Sequence, residues 1–306
     1  MSKSLYNASR LSLYLILATA LFGCQHTADA VKLSTQKVQI DGQLTPIAQD
    51  IFKRLEIKEA AGLPVTTLKA ANALAQAQLL RDEKSERWHT QAATTVRARM
   101  QTERAGIMAD LKQLGLINEV PPAKNKYTYA LVMGATISTV KQRLEYLTKL
   151  LQAGYVFDNI VLLGGERPLN PNELTKLAEL TAPATITTEA TAMQFIYDAE
   201  PTLKQHQVLL INAPMTKKAD GTLVRPNTDD TVIAFAKSAP AVAHPGACLV
   251  ISNNPYIIRQ TAVVKRLLPQ DKFPTDGAGS GIASADTADI VMLMDEFART
   301  LYELQK

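Results

Sequence analysis

Tyr129-Ala130-Leu131-Val132-Met133-Gly134-Ala135-Thr136-Ile137-Ser138 sets five apolar residues in a row directly before a turn that carries glycine and hydroxyl groups. An unbroken apolar run marks a strand covered on both faces, whereas a strand with one wet face alternates. Three more runs of this kind follow: Ile160-Val161-Leu162-Leu163, Val208-Leu209-Leu210-Ile211 and Cys248-Leu249-Val250-Ile251. Helical patterns separate them. Val140, Leu144, Leu147 and Leu151 share one helical face before Gly154, and a second stripe covers residues 190–197. A third opens at Asn227-Thr228-Asp229-Asp230, a cap with an acidic first turn, and runs through Val232, Ile233 and Phe235. Strand and helix in alternation predict an α/β fold, a Rossmann-like, doubly wound and mainly parallel sheet with right-handed crossovers. A last helix over about residues 284–304 is expected to pack back on it.

Upstream of this region the composition changes. Residues 45–116 are rich in Ala, Gln, Leu, Lys, Arg and Glu, broken strongly only by Gly62-Leu63-Pro64, and read as two or three helices. Their apolar positions are sparse: Leu74, Leu79 and Leu80, then Met100, Ile107, Met108, Leu111 and Leu114. Such a helical arm packs on something else, as a spacer, a cover for the main domain or an oligomer contact. Pro121-Pro122 ends it, because consecutive prolines cannot continue a helix.

At the N-terminus Lys3 and Arg10 precede an apolar run over residues 11–22, followed by Gly23 and Cys24, the order of a secretory signal. The run is too short to span a bilayer as a helix. Leu21-Phe22-Gly23-Cys24 resembles a bacterial lipobox, in which a diacylated thiol becomes the new N-terminus; a plain signal peptide with a chance cysteine and a short anchor are the alternatives. Buried methylenes contribute ~0.8 kcal/mol each, so two or three acyl chains hold a protein durably on a membrane. The expected layout is a signal peptide over residues 1–23, a tether from lipidated Cys24 to 44, a helical arm over 45–120, a linker over 121–126 and an α/β domain over 127–306. The expected address is the periplasmic side of the cell envelope. Gln25, in place of the aspartate that commonly retains lipoproteins at the inner membrane, favours the outer membrane of a Gram-negative cell.

Ligands of open α/β sheets gather beyond the carboxyl ends of the strands. The candidates are therefore Gly134-Ala135-Thr136, Gly164-Gly165-Glu166-Arg167, Asn212-Ala213-Pro214-Met215 and Ser252-Asn253-Asn254-Pro255-Tyr256. Glycine permits close backbone approach, and the amides of a helix start attract anions. Arg143, Arg167, Arg225 and Arg259 offer fixed positive charge for phosphate or carboxylate. Glu166 and Glu189 are the acid-base candidates, since carboxylates near strand ends are tuned by burial. The plainer readings are turn glycines, solvated arginines and carboxylates that cap helices or pair with arginine.

Other chemistry is not legible. There is no P-loop and no G-x-S-x-G elbow. Gly277-Ala278-Gly279-Ser280-Gly281 imitates a dinucleotide fingerprint without its third glycine and reads as a flexible loop. His26, His89, His206 and His244 are scattered, with neither metal-binding spacing nor a Ser-His-Asp order, so no metal is expected. The net charge of +4 is not gathered into basic runs with interleaved aromatics, which argues against nucleic acid. Cys248, the only thiol besides Cys24, lies in an apolar stretch and reads as packing.

Over about residues 127–304 the chain resembles the domain-of-unknown-function 218 family of YdcF-, SanA- and ElyC-like envelope proteins. The residues that carry the resemblance are Gly134, Arg143-Leu144, Gly164-Gly165, Glu189-Ala190, Asn227-Thr228 with Thr231, and Ser252 leading to Arg259. Where that family commonly shows a Tyr-His pair before the last arginine, this chain has Pro255-Tyr256-Ile257, so no histidine role carries over. The resemblance implies a Rossmann-like fold with a pocket at those positions and a role in envelope integrity, peptidoglycan or lipid-carrier metabolism. One member has been linked to S-adenosylmethionine; a periplasmic address favours phosphorylated envelope precursors instead, and the cofactor stays unassigned.

Two functions follow as expectations. The first is a small-molecule site, binding and in one version processing an anionic or phosphorylated envelope metabolite. The second is a non-catalytic envelope adaptor whose helical arm binds a protein partner while the α/β domain serves as scaffold.

Overall fold

The computed structural model describes residues 35–80, 94–284 and 286–306; the signal-like segment, Cys24, His26 and His89 lie outside the described residues. Among the described residues no helix is long and apolar enough to cross a membrane. Four helices come first: α1 (Pro46–Arg54), α2 (Leu68–Gln78), α3 (Thr94–Thr102) and α4 (Arg104–Gln113). Strand β1 (Lys126–Met133) leads into α5 (Ile137–Gln152), and β2 (Val156–Gly165) into α6 (Pro171–Glu179) and α7 (Glu189–Ala199). Strand β3 (Val208–Ala213) precedes α8 (Thr228–Ala236) and α9 (Ala239–Ala243), and β4 (Cys248–Asn253) precedes α10 (Ile257–Leu267). Strand β5 (Thr275–Ser280) and α11 (Ile290–Gln305) close the chain.

The five strands form one parallel sheet in the order β3-β2-β1-β4-β5. Each apolar run lies inside a strand, and the pleat divides it between two layers. Ala130, Val132, Ile160, Leu162, Leu249 and Ile251 join one cluster with Val140, Leu144 and Leu147 of α5 and Met193 and Tyr197 of α7. Leu131, Met133, Val161, Leu163 and Val250 join another with Val232 and Phe235 of α8 and Val263 and Val264 of α10. Both faces are covered, which is why the runs do not alternate. Cys248 belongs to the second cluster, and burial pushes its thiol up to about 12, as expected of a packing residue.

The glycine-rich stretch expected to be a loop is instead β5, an edge strand. Alanine, glycine and serine lack the bulk that marks a strand in sequence, and here smallness is what the site requires. A Cβ on Gly279 would fall 2.1 Å from the Ser252 carbonyl oxygen, and one on Gly277 2.1 Å from Thr261 Oγ1. Val120 covers the outer edge, exchanging backbone hydrogen bonds of 2.9 and 3.0 Å with Gly279. The last helix begins later than expected, at Ile290, because Asp289 accepts a bond from the Val291 amide and so caps it.

The upstream helices form a cover. Phe52, Ala71, Ala75, Met100, Ile107 and Leu111 share one buried cluster with Leu293, Met294, Phe297 and Leu301 of α11, and with Ile258 of α10. Phe52 and Phe297 meet at 6.0 Å between ring centroids. Polar bonds fix the layer: Arg104 donates to the carbonyls of Asp286 and Ala288, and Asn254 Nδ2 to those of Gly115 and Asn118. Helix α11 is thus apolar toward the cover, while its Glu296 and Glu303 face Arg259 and Arg266 of α10.

Candidate functional site

Strands β1 and β4 are neighbours in the sheet, yet the chain leaves them in opposite directions, through α5 toward β2 and through α10 toward β5. This reversal is the topological switch point where open sheets bind ligands. A cleft of about 640 Å³ lies there. Gly134, Ala135, Thr136, Arg143, Arg167, Glu189, Arg225, Asn227, Thr228, Thr231, Tyr256 and Arg259 all line it, so segments separated by more than a hundred residues do converge. Asn170, Gln260, Met292, Arg299 and Tyr302 of α11, and Lys306 just after it line it too, and sequence reasoning missed them.

The candidates Asn212-Ala213-Pro214-Met215 and Pro255 lie off the cleft, and so do six others for identifiable reasons. Gly164 and Gly165 admit other chain segments rather than a ligand. A Cβ on Gly164 would sit 2.8 Å from Ala190 Cα, and one on Gly165 2.3 Å from Pro226 Cγ. The glycine pair therefore lets the start of α7 and the approach to α8 close on β2, which carries Glu189, Arg225 and Thr228 to the rim. Glu166 is exposed and accepts a bond from the Met215 amide, away from the other candidates. Ser252 is buried against Gln260, Asn253 holds Arg143, and Asn254 ties β4 to the helical cover.

Arg143 is the centre of the arrangement. Its side chain is 1% exposed. Nε donates to Asn253 Oδ1 at 2.9 Å, and Nη1 donates to the carbonyl oxygens of Met133 and Gly134 at 2.7 and 2.8 Å. Every one of these acceptors is neutral. Among the described residues no carboxylate pairs with Arg143, and Nη2 has no hydrogen-bond partner. Burial lowers the pKa to about 10, which leaves the group cationic at neutral pH. The Glu189 and Glu296 carboxylates favour this charge without bonding to it, and a buried cation with no directly bonded counter-ion is costly unless a ligand supplies one.

Arg167 does a different job. It forms a fork on Glu173, at 2.8 and 2.9 Å, with a longer 3.4 Å bond to Glu189 Oε1. The Glu173 bonds raise the Arg167 pKa, and Arg167 overrides the effect of burial to hold Glu173 below its usual range. Glu173 also completes the capping box of α6, accepting from Asn170 N while Asn170 caps its amide. The expected ligand arginine is therefore a clamp at the rim. Asn227 and Thr231 are likewise occupied: Asn227 caps α8 reciprocally with Asp230, and the Thr231 hydroxyl donates to the Thr228 carbonyl.

Glu189 opens α7 and lies over Gly134, where an added Cβ would come within 3.1 Å of its Cδ. Burial pushes this carboxyl above the usual range, with Arg167 pulling the other way. A carboxyl raised in the fold costs nothing below its unfolded pKa of about 4.3. The cost appears as pH rises through the folded value. Glu189→Gln is therefore expected to match the wild type near pH 4 and to exceed its stability near pH 8 by about 1 kcal/mol, the scale of one relieved buried polar group. Urea unfolding at the two pH values measures this; a variant less stable at pH 8 contradicts it.

Among the described residues no group of three His, Cys, Asp or Glu side chains is placed to hold a metal ion. No protein-family model matches this chain, and no curated protein or solved structure matches it.

Proposed function

We propose that this chain is a lipid-tethered cell-envelope protein, carrying a domain of the domain-of-unknown-function 218 type, that binds an anionic, phosphorylated small molecule in the cleft at the switch point. One observation carries the ligand reading: Arg143, buried and held by three neutral acceptors, turns an unpartnered Nη2 to a cleft that four polar segments share. Guanidinium groups match phosphate and carboxylate oxygens in charge and geometry. The helix starts after Thr136 and Asn227 reach the same cleft and add favourable dipoles. The volume suits a sugar phosphate or nucleotide, within the ~300–1,000 Å³ usual for small-molecule sites. A long polyprenyl phosphate would enter by its head group alone.

Calorimetric titration of the full chain in detergent tests the reading, with sugar phosphates, nucleotides and polyprenyl phosphate as titrants. Saturable heats are expected for at least one phosphorylated class and are expected to vanish in Arg143→Gln. Indifference to every anion contradicts the reading. The tether has its own support in Leu21-Phe22-Gly23-Cys24. Cys24→Ser is expected to prevent the acyl-linked shift in mobility and to move the protein from the membrane to the soluble fraction; unchanged partitioning contradicts lipidation.

A further inference from the structure

Arg259 lines the same cleft from α10, as Arg143 does from α5. Its Nε donates to Glu296, a buried carboxylate of α11, and its Nη1 and Nη2 have no partner among the described residues. Burial works against the charge on Arg259, and Glu296 more than restores it. Both guanidinium groups line the cleft, and the charge on Arg259 disfavours that on Arg143. Arg143, held through Nε and Nη1, keeps Nη2 for a ligand, and Arg259, held through Nε, keeps Nη1 and Nη2. The acidic groups on the lining are already engaged: Glu189 pairs with Arg167, Asp229 with Arg266, and Glu303 with Arg266 and Lys306.

Two guanidinium groups on one cleft, with Nη2 of Arg143 and both terminal nitrogens of Arg259 unbonded among the described residues, ask for more than a carboxylate can give. A carboxylate has two oxygens and one charge, which one fork satisfies. A terminal phosphate carries about −1.5 to −2 charge at neutral pH and three acceptor oxygens, enough for both. The hydroxyl of Thr228, at the first position of α8, has no bond within the described residues and faces the same cleft as a neutral donor. We infer that the group bound here is a dianionic terminal phosphate, the end of a phosphate monoester or diphosphate, bridged between Arg143 and Arg259. This inference rests on the anion-site reading and narrows it, because the single charge of a phosphodiester or a carboxylate answers only one of the two guanidinium groups.

Small probes separate the two. The full chain in detergent is titrated calorimetrically at pH 7.5 with sulfate, inorganic phosphate, dimethyl phosphate and acetate. The expected ranking is sulfate and phosphate at least tenfold tighter than dimethyl phosphate and acetate. Arg259→Lys retains the partner of Glu296 but not the fork, and is expected to erase the preference while monoanion binding at Arg143 persists. Equal affinity of wild type for dimethyl phosphate and sulfate overturns the inference while leaving the anion site in place. So does a preference that survives in Arg259→Lys. Absence of binding by any probe removes the anion site and this inference together. Should Arg259→Lys fail to fold by circular dichroism, the wild-type ranking decides alone.

Discussion

Arg143→Gln is expected to lower affinity for the phosphorylated ligand by at least a hundredfold. A charge-assisted hydrogen bond contributes roughly 1.5–3 kcal/mol, and every 1.4 kcal/mol is tenfold. The variant loses both the bond from Nη2 and a buried cleft cation that has no directly bonded carboxylate among the described residues. Arg143→Lys separates charge from geometry. A lysine keeps the charge but cannot hold Asn253 and the carbonyls of Met133 and Gly134 while turning a further donor outward. A loss of about tenfold is expected for lysine, intermediate between wild type and glutamine. Wild-type affinity in both variants contradicts a ligand role for Arg143.

The second large effect concerns stability. Arg167→Met is expected to destabilise the fold by about 3–5 kcal/mol, the range for removing one partner of a buried ion pair. Glu173 is 2% exposed and would lose both arms of its fork, although its bond with the Asn170 amide remains. Glu189 would lose its one cationic hydrogen-bond partner among the described residues at the same time. The double variant Arg167→Met, Glu173→Gln is expected to recover a good part of the loss, because the stranded charge is removed with its partner. Denaturant midpoints of the three proteins measure this. A single variant as stable as wild type shows that the clamp contributes nothing.

The contrast between these two arginines explains what could be read in advance. Arg167 follows the end of β2 and Arg143 lies within α5, the helix that follows β1, and both looked like ligand groups from spacing. What separates them is Glu173, six residues past Arg167 in a turn that sequence does not mark as adjacent. Strands β1 to β4 were legible because burial on both faces writes an unbroken apolar run. Strand β5 was not, since close contact with Ser252 and Thr261 selects glycine there, and glycine in sequence signals a turn. The glycine pair 164–165 was legible as a crowded place, but the crowding comes from Ala190 and Pro226 rather than a ligand. Arg299, Tyr302 and Lys306 follow no strand at all. They reach the cleft because α11 packs its apolar side on the helical cover and so turns its polar side to α10. That consequence depends on residues 46–113, whose sparse apolar pattern left a spacer, a cover and an oligomer contact equally open.

The unpaired guanidinium at the switch point is tested most directly with a heavy tetrahedral dianion. Crystals of the protein soaked in tungstate are expected to show an anomalous peak within hydrogen-bonding distance of Arg143 Nη2, between it and Arg259. Peaks confined to exposed basic side chains such as Arg225, with the space beside Arg143 filled by water, would contradict an anion site at this position.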